Sequence, residues 1–265
     1  MTESPAESSY RVLARLPRYG HYARIPARVC RCLEHFGATF DGRAVAERLL
    51  AYYLFIGVAD DAIDSRGVEA GREILRRLAE DDDGPRAVSA LALATGELRR
   101  HVAPEARARV FALLEELAGA VVGERRAASV AAYIEERRRV GRLTAEVSYV
   151  LVEPLVAGGG DALRGFLARV GEVGCLVDSL VDFRADARAG AFGFAPNARG
   201  RLRLARRTIA DGARLLFARP RLAPLFFAAV VDVVRDRRAR AGASEESETL
   251  AGASLVGELD TFRAG

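Results

Sequence analysis

Leu49-Leu50-Ala51-Tyr52-Tyr53-Leu54-Phe55-Ile56-Gly57-Val58-Ala59-Asp60-Asp61-Ala62-Ile63-Asp64 decides how this chain is read. The first eight residues are almost wholly apolar, as in a helix buried on every side. The segment then turns acidic within a single turn. Asp60 and Asp64 are four residues apart, so they share one helical face, about 6 Å apart along the axis. Like charges at that spacing repel, so the pattern predicts a cationic partner.

A second segment repeats the design. Val173-Gly174-Cys175-Leu176-Val177 is apolar and runs into Asp178-Ser179-Leu180-Val181-Asp182-Phe183-Arg184-Ala185-Asp186. Asp178, Asp182 and Asp186 recur every four residues and line one face. One such cluster is commonly a solvated face with Arg partners. Two, each at the mouth of a hydrophobic helix, predict a site. Clustered carboxylates are hard oxygen ligands, and Mg²⁺ takes few of them together with waters and phosphate oxygens. Two facing acidic helix ends can therefore clamp a diphosphate through Mg²⁺, and the ions offset charge as the diphosphate leaves. An apolar pocket below would hold a hydrocarbon tail and keep water from a carbocation.

The rest of the chain fits that frame. Of 265 residues, 50% are hydrophobic and 29% charged, which is enough to bury a core and argues against disorder. Every one of the 40 basic residues is Arg, but 36 acids offset them to a net +4, with no separate basic stripe, so nucleic acid is not expected as a partner. Three cysteines make no disulfide framework, no apolar run is long enough to span a bilayer, and the polar, acidic start lacks the layout of a signal peptide. A cytoplasmic protein is expected. Ala, Leu and Arg favour helix, and strand-like alternation is missing. Helices are predicted over 8–16, 22–35, 42–64, 68–79, 85–101, 104–122, 127–155, 162–187, 201–218, 220–239 and 246–262. Breaks are expected at Gly37, 81–85, Gly123, 158–160, 190–193 and Gly242. No long linker divides the chain, so 1–265 reads as one all-α domain with mobile segments at 1–7 and 240–248. Asp81–Asp83 read as a capping loop, and Cys30, Cys32 and His35 as packed helix residues.

The motifs resemble those of class I isoprenoid (terpenoid) synthases, most closely squalene/phytoene synthases. Asp60-Asp61-Ala62-Ile63-Asp64 is similar to their first acidic motif, with Tyr53 at the Tyr seven residues before it. The segment 182–190 is similar to the second. Tyr133-Ile134-Glu135-Glu136-Arg137-Arg138-Arg139-Val140-Gly141 instead resembles a segment of bacterial class I terpene cyclases, in which an Arg senses the diphosphate and the Gly marks a helix break. The likeness spans roughly 45–238 and is looser between the motifs. It departs at Gly57 and Val181, where squalene/phytoene synthases carry Arg, at Asp178 in place of Asn, and at 191–196 in place of Tyr-Leu-Pro.

The resemblance implies a helical bundle of that type and Mg²⁺-dependent ionisation of a prenyl diphosphate of C10–C20 length. Asp60, Asp61 and Asp64 would bind metal on one side, and Asp178, Asp182 and Asp186 on the other. Asp60, Asp64, Asp182 and Asp186 would be catalytic; Tyr53, Tyr133 and Arg137 or Arg138 would bind substrate. A product that hydrophobic implies peripheral contact with a membrane. Prenyl coupling is the first reading, cyclisation of one substrate the second, and an inactive helical binding partner the third. Aromatics are only 7% of the chain, so a pocket lined mainly by Ala, Val and Leu is expected. That composition favours coupling or a simple cyclisation, with Tyr52, Tyr53, Phe55 and Phe183 as the nearest rings.

Overall fold

The computed structural model describes residues 12–16, 19–67, 74 and 90–242, excepting the side chains of 64–66 and 236–242. Most of the described residues fall in the helices α1 (Gly20–His35), α2 (Gly42–Arg66), α3 (Ala90–His101), α4 (Arg107–Arg125), α5 (Val130–Val152), α6 (Gly160–Ala189), α7 (Ala198–Ala218) and α8 (Ala223–Gly242). The fold is an all-α bundle, as expected. Residues 12–15 of the predicted helix 8–16 are helical, whereas 8–11, the predicted helix 68–79 apart from the helical residue 74, the predicted helix 246–262, the capping loop Asp81–Asp83 and the mobile segment 1–7 lie outside the described residues. So does 243–248, while 240–242 continue α8.

Capping residues set several starts. The Asp41 carboxylate accepts the N–H of Arg43 at 2.9 Å and of Ala44 at 3.2 Å, opening α2. Ser129 accepts from Ala132 N at 3.2 Å, and Asn197 from Gly200 N at 2.8 Å, opening α5 and α7. Gly190 ends α6 in the left-handed region at φ 69°. Gly123 does not break a helix: it lies inside α4, where the Glu136 carboxyl group of α5 packs 3.0 Å from the place of a Cβ. One short strand pair also forms, Thr39–Phe40 against Val156–Ala157, antiparallel. Each strand is two residues long, too short to show the alternation by which sequence reveals a strand.

Helix α2 is the buried centre, with Leu49, Ala51, Tyr52 and Leu54 inaccessible to solvent. It packs on α1, α3 and α5. The most extensive contact is that of α5 with α6. Two glycines permit it. A Cβ on Gly141 would stand 2.1 Å from the carbonyl oxygen of Gly171, and a Cβ on Gly171 would stand 2.1 Å from that of Gly141. Backbone meets backbone there, and α5 runs through Gly141 without the break that the cyclase resemblance implied.

Gly141→Ala should therefore destabilise the protein by about 3 kcal/mol, the upper range for overpacking a rigid contact. Gly119→Ala is the control: nothing lies within 4 Å of its Cβ position inside α4, so it should stabilise by about 0.5–1 kcal/mol. Urea denaturation of both variants checks this, and an unchanged midpoint for Gly141→Ala would contradict the crossing.

Candidate active site

A cavity of about 850 Å³ lies inside the bundle, walled by α1, α2, α4, α5, α6, α7 and α8. That is within the roughly 300–1,000 Å³ usual for ligand pockets. Much of the wall is apolar, including Phe55, Ile56, Leu117, Val140, Leu167 and Leu215. Asp60 enters it from α2, and Asp178, Asp182 and Asp186 from α6. The two acidic segments, more than a hundred residues apart in sequence, thus open on one space.

Tyr22 of α1 reports how near they are. Its hydroxyl donates a long 3.3 Å hydrogen bond to Asp60 Oδ2. Burial first, then the carboxylates of Asp60, Asp178 and Asp61, holds its phenol well above its ordinary range. A single ring therefore lies in the field of both acidic helix ends. The ring fits because residue 57 is glycine: a Cβ there would lie 2.7 Å from the Tyr22 ring. Where squalene/phytoene synthases carry an Arg, this chain gives the space to a tyrosine.

Arg137, with Arg28 and Arg125, is one of the arginines of the wall. Its Nε donates to Ser179 Oγ at 2.7 Å, Nη1 to Glu124 Oε2 at 3.1 Å, and Nη2 to the carbonyl of Cys175 at 3.3 Å. Burial opposes its charge, but Glu124, then Cys175, Tyr133 and Asp178, outweigh burial and hold its pKa above the ordinary value. Ser179 is itself buried between Asp178 and Asp182 in sequence, and donates to the Cys175 carbonyl at 2.8 Å. Tyr133 lines the same wall, its phenol pushed up to about 12, chiefly by burial. Deeper in, Tyr53 shares a 2.9 Å hydrogen bond with Ser148, and burial pushes its phenol up to about 12 as well.

Other predicted site residues fall elsewhere. Arg138 does not line the cavity; it pairs with Glu172 at 2.8 Å, Glu135 at 3.0 Å and Asp211 at 3.5 Å. The reason is geometric: one residue along a helix is about 100° of rotation, and Arg137 holds the inward face. Asp61 accepts from Tyr19 Oη at 2.7 Å and is not part of the cavity wall. The Asp64 side chain lies outside the described residues. Among the described residues, no three His, Cys, Asp or Glu side chains form a metal-binding group by themselves. The donor set still fits Mg²⁺ in its usual phosphate sites, where one or two carboxylates and substrate oxygens suffice.

Several contributors escaped the sequence reading. Tyr19, Tyr22, Glu124 and Ser179 carry no motif of their own. The pocket is also richer in rings than composition implied: Tyr22, Tyr53, Phe55, Tyr133, Phe226 and Phe227 line it, whereas Tyr52 and Phe183 do not. Phe183 joins an aromatic cluster instead. Phe192 of the loop after α6 lies 5.0 Å from Phe183 and 5.2 Å from Tyr133, with Phe194 5.0 Å from Phe192. Gly193 lets that loop lie on the turn between α4 and α5, with the Arg125 carbonyl 2.8 Å from its Cβ position.

No protein-family model and no curated protein matches the chain. Among solved structures, a geranylgeranyl pyrophosphate synthetase from the archaeon Geoglobus acetivorans is similar over 96% of this chain and 94% of its own, with 14% identity and a TM-score of 0.38. Likeness at that level does not extend to a function.

The cavity wall predicts an order of thiol reactivity. Burial pushes Cys175 up to about 11 and Cys32 to about 12. Cys30 is raised too, but it is only half-buried. The thiolate is the reactive form, so each rate should rise with pH. Iodoacetamide at pH 8 followed by mass spectrometry should modify Cys30 well ahead of Cys175 and Cys32, and all three alike after unfolding. Equal rates in the native protein would contradict the packing.

Proposed function

We propose that this chain is an isoprenoid synthase of the class I kind, ionising an allylic prenyl diphosphate. The observation that carries the reading is the convergence of Asp60 from one helix and Asp178, Asp182 and Asp186 from another on a single, largely apolar cavity. Asp60 on one side, and Asp182 and Asp186 with Asp178 on the other, would hold Mg²⁺, which supplies neutralisation of the diphosphate charge. Asp61 and Asp64 continue the first acidic motif beside them.

The chain's own residues do the remaining work. Arg137 is fixed by Ser179, Glu124 and the Cys175 carbonyl. A guanidinium has five N–H groups, so it can keep these contacts and still present donors to a diphosphate oxygen. The apolar wall below takes the hydrocarbon and excludes water, so that the allylic cation formed when the C–O bond breaks is not quenched at once. Tyr53 and Tyr133 bound that space.

Coupling to a second prenyl unit, as in squalene/phytoene synthases, is the first reading, and the two acidic motifs support it. Cyclisation of a single substrate is the second. The six aromatic rings on the wall favour it, because aromatic faces stabilise a cation. The third, an inactive helical homologue, drew on the missing Arg at residues 57 and 181; against it stands Arg137, a cation supplied from α5.

Incubation with Mg²⁺ and geranyl, farnesyl or geranylgeranyl diphosphate tests the reading. Mg²⁺-dependent release of diphosphate is expected from at least one of them. Two equivalents of diphosphate per long hydrocarbon mark coupling, and one per cyclic terpene marks cyclisation. Asp60→Ala, Asp182→Ala and Arg137→Ala should each lower turnover by about 100-fold or more, whereas Arg138→Ala should leave it within a few-fold. No release from any of the three substrates would contradict the proposal.

A further inference from the structure

Part of the cavity wall is itself exposed surface. Ile209 of α7 and Phe227 and Val230 of α8 belong both to the cavity wall and to the exposed surface, with exposures of 68%, 62% and 40%. Around them stand Leu202, Phe217 and Val231, also exposed. Leu202 and Ile209 are seven residues apart and Phe217 eight further on, so the three keep to one broad side of α7. Every exposed large hydrophobic residue among those described lies on these two helices. Bulky apolar side chains exposed together on two successive helices mark an interaction site.

The charge around it selects the partner. Arg199, Arg203, Arg206, Arg214, Arg219 and Arg221 are exposed on α7 and the turn that follows it. The acids near them are held by arginines: Asp211 by Arg207 at 2.7 Å and Arg214 at 3.1 Å, and Asp232 of α8 by Arg28 of α1. Residues 198–235 contain no other Asp or Glu. A helix pair with bulky apolar side chains amid a field of Arg suits a surface that is both anionic and oily. Nucleic acid would use the Arg but not Phe217, Phe227 and Val231. A second copy of the chain would bring the same positive charge against its own.

We infer that α7 and α8 dock on an anionic lipid bilayer, lying in its interface with the exposed part of the cavity wall facing the acyl chains. Basic, amphipathic helices bind membranes in this manner without spanning them. Among the described residues no helix is long and apolar enough to cross. The wall at Ile209, Phe227 and Val230 then gives a hydrocarbon a path between cavity and bilayer that avoids water. The docking surface rests on these residues alone. The passage of a prenyl chain through it rests on the proposed function.

Flotation of the full chain with vesicles tests the docking whether or not it turns over a diphosphate. Vesicles of phosphatidylcholine with one-third phosphatidylglycerol should carry the protein up, and vesicles of phosphatidylcholine alone should carry far less. Ile209→Asp with Phe227→Asp should abolish flotation. So should Arg203→Glu with Arg206→Glu, which leaves the apolar rim intact and guards against a simple folding loss; circular dichroism should match the parent for both pairs. Three results would overturn the inference: no flotation on anionic vesicles, flotation unchanged in both variant pairs, or a stable dimer in light scattering that the Asp variants dissolve while vesicles remain unbound. Binding of a random-sequence RNA in place of vesicles would overturn it as well.

Discussion

The site depends on the crossing of α5 and α6, where Gly141 and Gly171 let two backbones touch. A β-carbon on either would stand 2.1 Å from the other's carbonyl oxygen. The closeness has a direct consequence one turn away. Arg137, four residues before Gly141, reaches Cys175, four residues after Gly171, and Ser179, four further on. The guanidinium stands in the cavity wall, as Asp178 and Asp182 do, paired with Glu124 from a third helix.

Electrostatics then explains why so acidic a cluster is tolerated. Asp60, Asp178, Asp182 and Asp186 face a cavity much of whose wall is apolar, and burying charges without compensation is costly. The compensation within the protein includes Tyr22, which donates to Asp60, Tyr19, which donates to Asp61, and Arg137, which carries a positive charge near Asp178. The exposed face of α7 and α8 differs in kind: its bulky side chains are apolar and stand amid Arg.

Much of this was legible in the sequence because it rests on local patterns. The apolar run 49–56 ending in acids, the aspartates at 178, 182 and 186, and the glycine turns gave the described helices nearly at their observed limits. What could not be read depends on distance in sequence. Tyr22 stands 38 residues from Asp60, and Glu124 and Arg137 lie on different helices. Arg137 and Arg138 look alike on paper, since only the packed neighbours decide which of two adjacent residues faces in. Gly123 read as a break because glycine weakens helices, and Gly141 only through the cyclase resemblance, within a predicted helix that runs past it; here both are contact points inside helices, and a glycine chosen for close approach has the same letter as one chosen for a turn. Aromatic content misled in a similar way, since a low total says nothing of how many rings converge on one wall.

The central claim is that Asp60 and the α6 aspartates act on the same diphosphate. Calorimetric titration of inorganic pyrophosphate into the protein with and without Mg²⁺, carried through the cycle of Asp60→Asn, Asp182→Asn and the double variant, addresses it most directly. The account predicts binding that requires Mg²⁺, is greatly weakened by either substitution, and is weakened by both together much less than the two single losses would add to. Mg²⁺-independent binding, or single losses that are small and simply additive, would contradict it.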